Sequence, residues 1–149
     1  MLETMLHLAN RGVECLRLDA VPFMWKQLGT SCENLPEVHV LLQAFRLLVS
    51  LAAPATIFKA EAIVPPWELT RYLGADGESV ADECQIAYNN QLMVLLWSAL
   101  AERQTELATA SLMRLTPSPP GTAWATYVRG HDDIGWAITD DNAGAVGLD

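Results

Sequence analysis

The chain has 149 residues, 51% of them hydrophobic, and a mean hydropathy of +0.17, but its longest apolar stretch, residues 47–58, is broken by Ser50, Pro54 and Thr56 and falls short of the ~18 residues that suggest a membrane span. Nine basic against eighteen acidic residues leave a net charge of −9, with no basic cluster interleaved with aromatics, so nucleic acid is not an expected partner. Three cysteines, Cys15, Cys32 and Cys84, are odd in number and show no CxxC spacing, which argues against a disulfide framework or a zinc site and for a reducing compartment, the cytoplasm.

The first ten residues carry Glu3 and His7 and lack a basic segment followed by a long apolar run, so they predict a helix rather than a cleaved signal. Asn10 and Gly12 close that helix, and the alternation of Val13, Cys15 and two leucines predicts a first strand ending near Ala20. A loop with Pro22, Gly29 and Ser31 follows. Asn34 as N-cap, Pro36 and Glu37 then predict a helix whose apolar face is Val38, Leu41, Leu42, Phe45, Leu48, Val49 and Ala52, with Pro54 as its stop. A second strand is predicted over residues 55–60, a short helix over 65–73 and a loop over 74–83. Residues 84–88 predict a third strand, and 91–100 a helix that continues towards Met113. Pro117, Pro119, Pro120 and Gly121 break the chain, residues 124–128 predict a fourth strand, and a polar segment from Gly130 runs into a small-residue tail. Strands alternating with helices predict an α/β fold with a parallel sheet, because parallel neighbours need a dozen or more residues to return.

Three carboxylates stand just after predicted strands: Asp19, Glu61 and Asp132. In a (β/α)8 barrel, which takes about 250 residues when complete, the C-terminal rim of the strands is where active sites form. One βα unit with a long loop fits between Asp19 and Glu61, and two such units fit between Glu61 and Asp132. Retaining glycoside cleavage needs an ionised and a protonated carboxyl group about 5 to 5.5 Å apart at such a rim. Arg17 lies two residues before Asp19 and so shares its strand face, where a guanidinium favours the ionised carboxylate; this marks Asp19 as the nucleophile. Glu61 sits among Ala60, Ala62 and Ile63, surroundings that favour a protonated acid, with Lys59 pulling the other way. Taken singly, an Arg-x-Asp pair such as Arg17 with Asp19 is more often a structural ion pair than a catalytic one, and a lone glutamate at a strand end, such as Glu61, is more often a helix cap or loop anchor. The run His131, Asp132, Asp133 reads equally as a turn or a weak metal cluster. Trp25, Trp97, Trp124 and Trp136 could stack on sugars, although Trp97 lies in an apolar helix and is expected in the core.

GVECLRLDAV resembles the strand-four segment of the alpha-amylase superfamily (glycoside hydrolase family 13), FKAEAIV its strand-five segment, and YVRGHDDIGW its strand-seven segment, in family order. The wording is most similar to amylosucrases and related sucrose hydrolases, through AVPFMWKQLGTSCENLPEVH, KAEAIV, DECQIAYNN and VRGHDDIGW. The resemblance implies a partial (β/α)8 barrel holding strands four to seven over residues 1–132, with 133–149 as the start of the loop insertion after strand seven. It implies that Asp19 is the nucleophile, Glu61 the general acid/base and Asp132 the transition-state stabiliser, with Arg17 and His131 contacting substrate. The substrates implied are sucrose and an α-glucan, the chemistry a glucosyl-enzyme on Asp19 with transfer to an α-1,4 glucan or to water, and neither a nucleotide sugar nor a metal is called for.

Strands one to three and strand eight of the family have no counterpart, so the polypeptide is expected to be an internal fragment that does not turn over sucrose alone. An open parallel sheet with unpaired edges is expected to self-associate. A sucrose or α-glucan hydrolase is the neighbouring alternative, and a non-catalytic sugar-binding or oligomerising module the distant one.

Overall fold

The computed structural model describes residues 1–74, 82–132 and 138–147. Four short strands, β1 (Cys15–Leu18), β2 (Ile57–Ala60), β3 (Ile86–Tyr88) and β4 (Ala123–Ala125), form one sheet in the order β1-β2-β3-β4, every pair parallel. Helices return the chain between them: α2 (Pro36–Ala52) links β1 to β2, and α4 (Asn90–Glu102) with α5 (Glu106–Met113) links β3 to β4. Between β2 and β3 lies α3 (Pro66–Leu69), tightened into a 3-10 turn over Thr70–Leu73. Helix α1 (Leu2–Asn10) precedes β1, and α6 (Asp140–Gly144) follows β4.

Register divides the sheet into two faces. Leu16 pairs with Phe58, and Leu18, Ala60, Ala87 and Trp124 run across the four strands in line, all towards the helices. There they meet Val38, Leu42 and Val49 of α2, and Tyr72 and Leu73 of the 3-10 turn, in one buried cluster. A fully buried leucine or phenylalanine such as Leu42 or Phe58 contributes about 1.5–3 kcal/mol, so this layer holds the strands in place. Arg17 pairs with Lys59 on the other face, where both cations lie over the Tyr88 ring, at 6.0 and 4.7 Å from its centroid. A β-strand turns successive side chains to opposite faces, so Asp19 and Glu61, each two residues further on, follow Arg17 and Lys59 to that polar face.

Several expectations are corrected. Asn34 is not the N-cap of α2; Leu35 is, without a side-chain cap, and Asn34 has a left-handed backbone (φ +53°). Its side chain bonds Glu68 and Tyr72 instead, tying the β1 loop to the segment after β2. Leu48 and Ala52 face solvent rather than the core. The helix predicted to run to Met113 is two helices, split where Arg103 takes a left-handed conformation (φ +57°). The fourth strand occupies Ala123–Ala125, not residues 124–128. Within the tail, Thr139 accepts a hydrogen bond from the Asn142 backbone and starts α6, which packs on α5. Trp136, Asp133 and most of the loop predicted over 74–83 lie outside the described residues.

Candidate active site

Where β1 and β2 end, the chain is tied across the strands. Glu61 donates its backbone N–H to Leu18 (3.0 Å), the Glu61 carbonyl accepts from Val21 (3.2 Å), and Glu61 Oε2 accepts from the Ala20 backbone (2.7 Å). Ala20 has a left-handed backbone (φ +45°), a conformation uncommon for a non-glycine residue, and that conformation presents its N–H to Glu61.

Arg17 is the hinge of the arrangement. Its Nη1 bonds Asp19 Oδ1, and its Nη2 lies 2.9 Å from Glu61 Oε1, so one planar guanidinium spans both carboxylates. Asp19 projects into solvent, its side chain 70% exposed, while the Glu61 side chain is 13% exposed. The hydrogen bond from Arg17 holds the Asp19 carboxyl below the usual aspartate range. Glu61 is therefore not isolated among alanines, as its sequence neighbours suggested: its cation is Arg17 on the adjacent strand, while Lys59 sits over Tyr88.

His131 and Asp132 come to the same end of the sheet from beyond β4, with His131 Nε2 3.4 Å from Asp132 Oδ1 and both side chains largely exposed. Two cavities of about 230 Å³ each meet here: one holds Asp19 and Phe23, the other Arg17 and Tyr88, and both are bordered by Glu61, Ile63, His131 and Asp132. All five residues singled out in the sequence thus line one rim.

Sequence reasoning passed over Tyr88, Asn90, Tyr127 and Arg129, which line the second cavity. Tyr127 donates to the Asn90 side chain, Asn90 Nδ2 donates to the Ala62 carbonyl (2.9 Å), and Tyr88 meets Tyr127 edge-on at 5.1 Å. Burial raises the Tyr127 phenol above its ordinary pKa, so it stays a donor across the physiological range. Trp97 is 40% exposed rather than core, and its indole donates to the Val128 carbonyl at 2.7 Å, bracing the segment that carries His131 and Asp132. Position was the available signal: Tyr88 and Asn90 flank the end of β3 just as Asp19 and Glu61 follow β1 and β2.

No protein-family model matches the chain. It is 32% identical over 142 residues to a trehalose synthase/amylase of Mycolicibacterium smegmatis, covering 95% of this chain and 24% of that protein. It is 33% identical over 135 residues to the glucosylglycerate phosphorylase of Escherichia coli, covering 91% of this chain and 23% of that protein. Among solved structures, sucrose 6F-phosphate phosphorylase from Thermoanaerobacter thermosaccharolyticum superposes with a TM-score of 0.73 at 22% identity, over 97% of this chain and 28% of that one. All three are alpha-amylase-family enzymes. This chain is similar in sequence to members of the alpha-amylase family. It spans about a quarter of the length of these relatives, and its four-stranded parallel sheet matches a stretch of the barrel in the phosphorylase structure. The relatives are thus of one general kind, alpha-amylase-family enzymes of carbohydrate metabolism. Among the described residues, no helix is long and apolar enough to cross a membrane.

Proposed function

We propose that the chain carries the reacting centre of an amylosucrase-like, cytoplasmic glucosyltransferase that cleaves sucrose with retention and builds an α-1,4 glucan. The observation that carries this reading is the Arg17 guanidinium shared by Asp19 and Glu61 at adjacent strand ends, beside a cavity bordered by His131 and Asp132. Asp19, kept ionised, attacks the anomeric carbon as the bond to fructose breaks, and Glu61 delivers its proton to the departing fructosyl oxygen. In the second half, Glu61 takes a proton from a glucan 4-hydroxyl, which displaces Asp19 and restores both groups. Asp132 and His131 hold the hydroxyls of the glucosyl ring between them. On this reading residues 1–132 belong to the barrel and 133–149 are the start of the loop insertion after strand seven.

The test is fructose release from sucrose with this segment inside a complete barrel. Asp19→Asn brings release to background, and turnover at the unmodified rate would remove Asp19 from the role. A second reading has inorganic phosphate as acceptor, favoured by the phosphorylases among the relatives and by Arg129, a cation lining the same cavity. Hydrolysis is the third outcome of one product analysis: glucan, glucose 1-phosphate and free glucose separate the three acceptors.

A further inference from the structure

A second cavity system lies away from the Asp19 rim, in the groove between α3, the start of α4, the end of α5 and α6. Its volume is about 630 Å³, inside the ~300–1,000 Å³ range of small-molecule sites. Two of its lining groups are buried and unpartnered. Gln91, 5% exposed, has no hydrogen-bond partner for Oε1, and Ser111, 1% exposed, has none for Oγ. An unsatisfied buried polar group costs about 1–3 kcal/mol, so two bordering one groove are the mark of a site whose partner comes from outside.

The remaining lining says what that partner is. Trp67 stands at the groove 60% exposed, offering an aromatic surface beside polar groups. Arg114 and Asp141 bring one charge of each sign, so the lining carries no net charge to hold an ion, and Arg114 Nη1 donates to the Asp141 backbone carbonyl at 3.1 Å. Asn142 adds a neutral amide. An aromatic plane with neutral donors and acceptors around it fits a pyranose ring, whose C–H face stacks while its hydroxyls reach the amide and hydroxyl groups.

We propose that this groove is a second carbohydrate site, in which a pyranoside stacks on Trp67 and bonds Gln91 Oε1 and Ser111 Oγ. The site itself stands apart from the chemistry assigned to Asp19 and Glu61; only the choice of a glucosyl probe rests on that reading.

Calorimetric titration of the chain with maltotriose tests it, in a His131→Ala/Asp132→Ala background that strips the rim of its exposed sugar contacts. Binding persists in that background, and Trp67→Ala weakens it at least tenfold while circular dichroism stays native, as the exposure of Trp67 permits. Gln91→Leu supplies a readout that a purely structural role would not move. It fills nearly the same volume and removes the unpartnered acceptor, so affinity falls while the melting temperature holds or rises. No heat of binding with the rim-stripped, folded chain, or binding untouched by both Trp67→Ala and Gln91→Leu, would overturn the proposal. Because the readout is binding and not turnover, failure of the Asp19 assignment would show separately, as an Asp19→Asn enzyme that still releases fructose.

Discussion

Arg17 decides most at the scale of single residues, because it touches both proposed catalytic carboxylates. A lowered Asp19 pKa means that the carboxylate stays ionised further into acid than a free aspartate would. Removing the cation reverses this. With the segment in a complete barrel, Arg17→Met should move the acid limb of the kcat/KM profile to higher pH, measured by fructose release across the acid range; an unmoved limb would separate Asp19 from that limb. Arg17→Lys should restore the limb only in part, since an ammonium is a point charge and cannot bridge two carboxylates in a plane. The corresponding stability effect has the same sign: what the pair contributes is present above the ordinary aspartate pKa and fades as pH falls, and solvent at Asp19 keeps it small. The Arg17–Asp19 half of this arrangement was readable in the sequence, since residues two apart on a strand share a face. The Arg17–Glu61 half was not, because it depends on β1 and β2 pairing Arg17 with Lys59, and register between distant strands leaves no local mark.

Elements show the same boundary between what is local and what is not. The ends of β2 and β3, the proline start of α2 and its stop before Pro54 were legible because each is set by a few neighbouring residues. The Asn34 cap was misread because a capping residue type was recruited by Tyr72 and Glu68, far along the chain. Helix α4 is capped by Asn89, whose Oδ1 accepts from the Leu92 N–H at 2.9 Å while its own N–H bonds the Ala125 carbonyl. Asn89→Ala should therefore cost about 1 kcal/mol in denaturant unfolding, and loosen the β4 end that leads to His131 and Asp132. Helix α2 carries a further polar contact: buried His39 lies 3.0 Å from the more deeply buried Glu83, which also accepts from Gln43. Burial raises the Glu83 carboxyl above its ordinary range, against the hydrogen bond from His39, with Asp82 adding to the rise. A raised carboxyl pKa gives stability that is full below the unfolded value and is lost as pH climbs through the folded one. Thermal midpoints should accordingly fall over that climb, and Glu83→Gln should flatten the dependence; an unchanged slope would mean that Glu83 is not its source.

At the scale of the whole molecule, the alternation of strand and helix was enough to foresee a parallel sheet, since no short turn can return a parallel strand. What the pattern could not say is how much apolar surface the described layers leave uncovered. Val40, Leu47 and Leu51 of α2 are each more than half exposed, as are Leu100 and Met113 at the ends of α4 and α5. Strands β1 and β4 are moreover the edges of the described sheet, with backbone donors and acceptors on their outer sides. Both kinds of surface invite another copy, so we propose that the 149-residue chain expressed by itself self-associates, with a light-scattering mass above that of one chain and rising with concentration. The two surfaces are separable. Leu47→Lys/Leu51→Lys places charge on the α2 face and leaves the strands alone; if this variant runs as a monomer the helix face is the contact, and if it still associates the contact lies at the strand edges. A wild-type chain that stays monomeric over the whole concentration range would show that neither surface is sticky enough to pair.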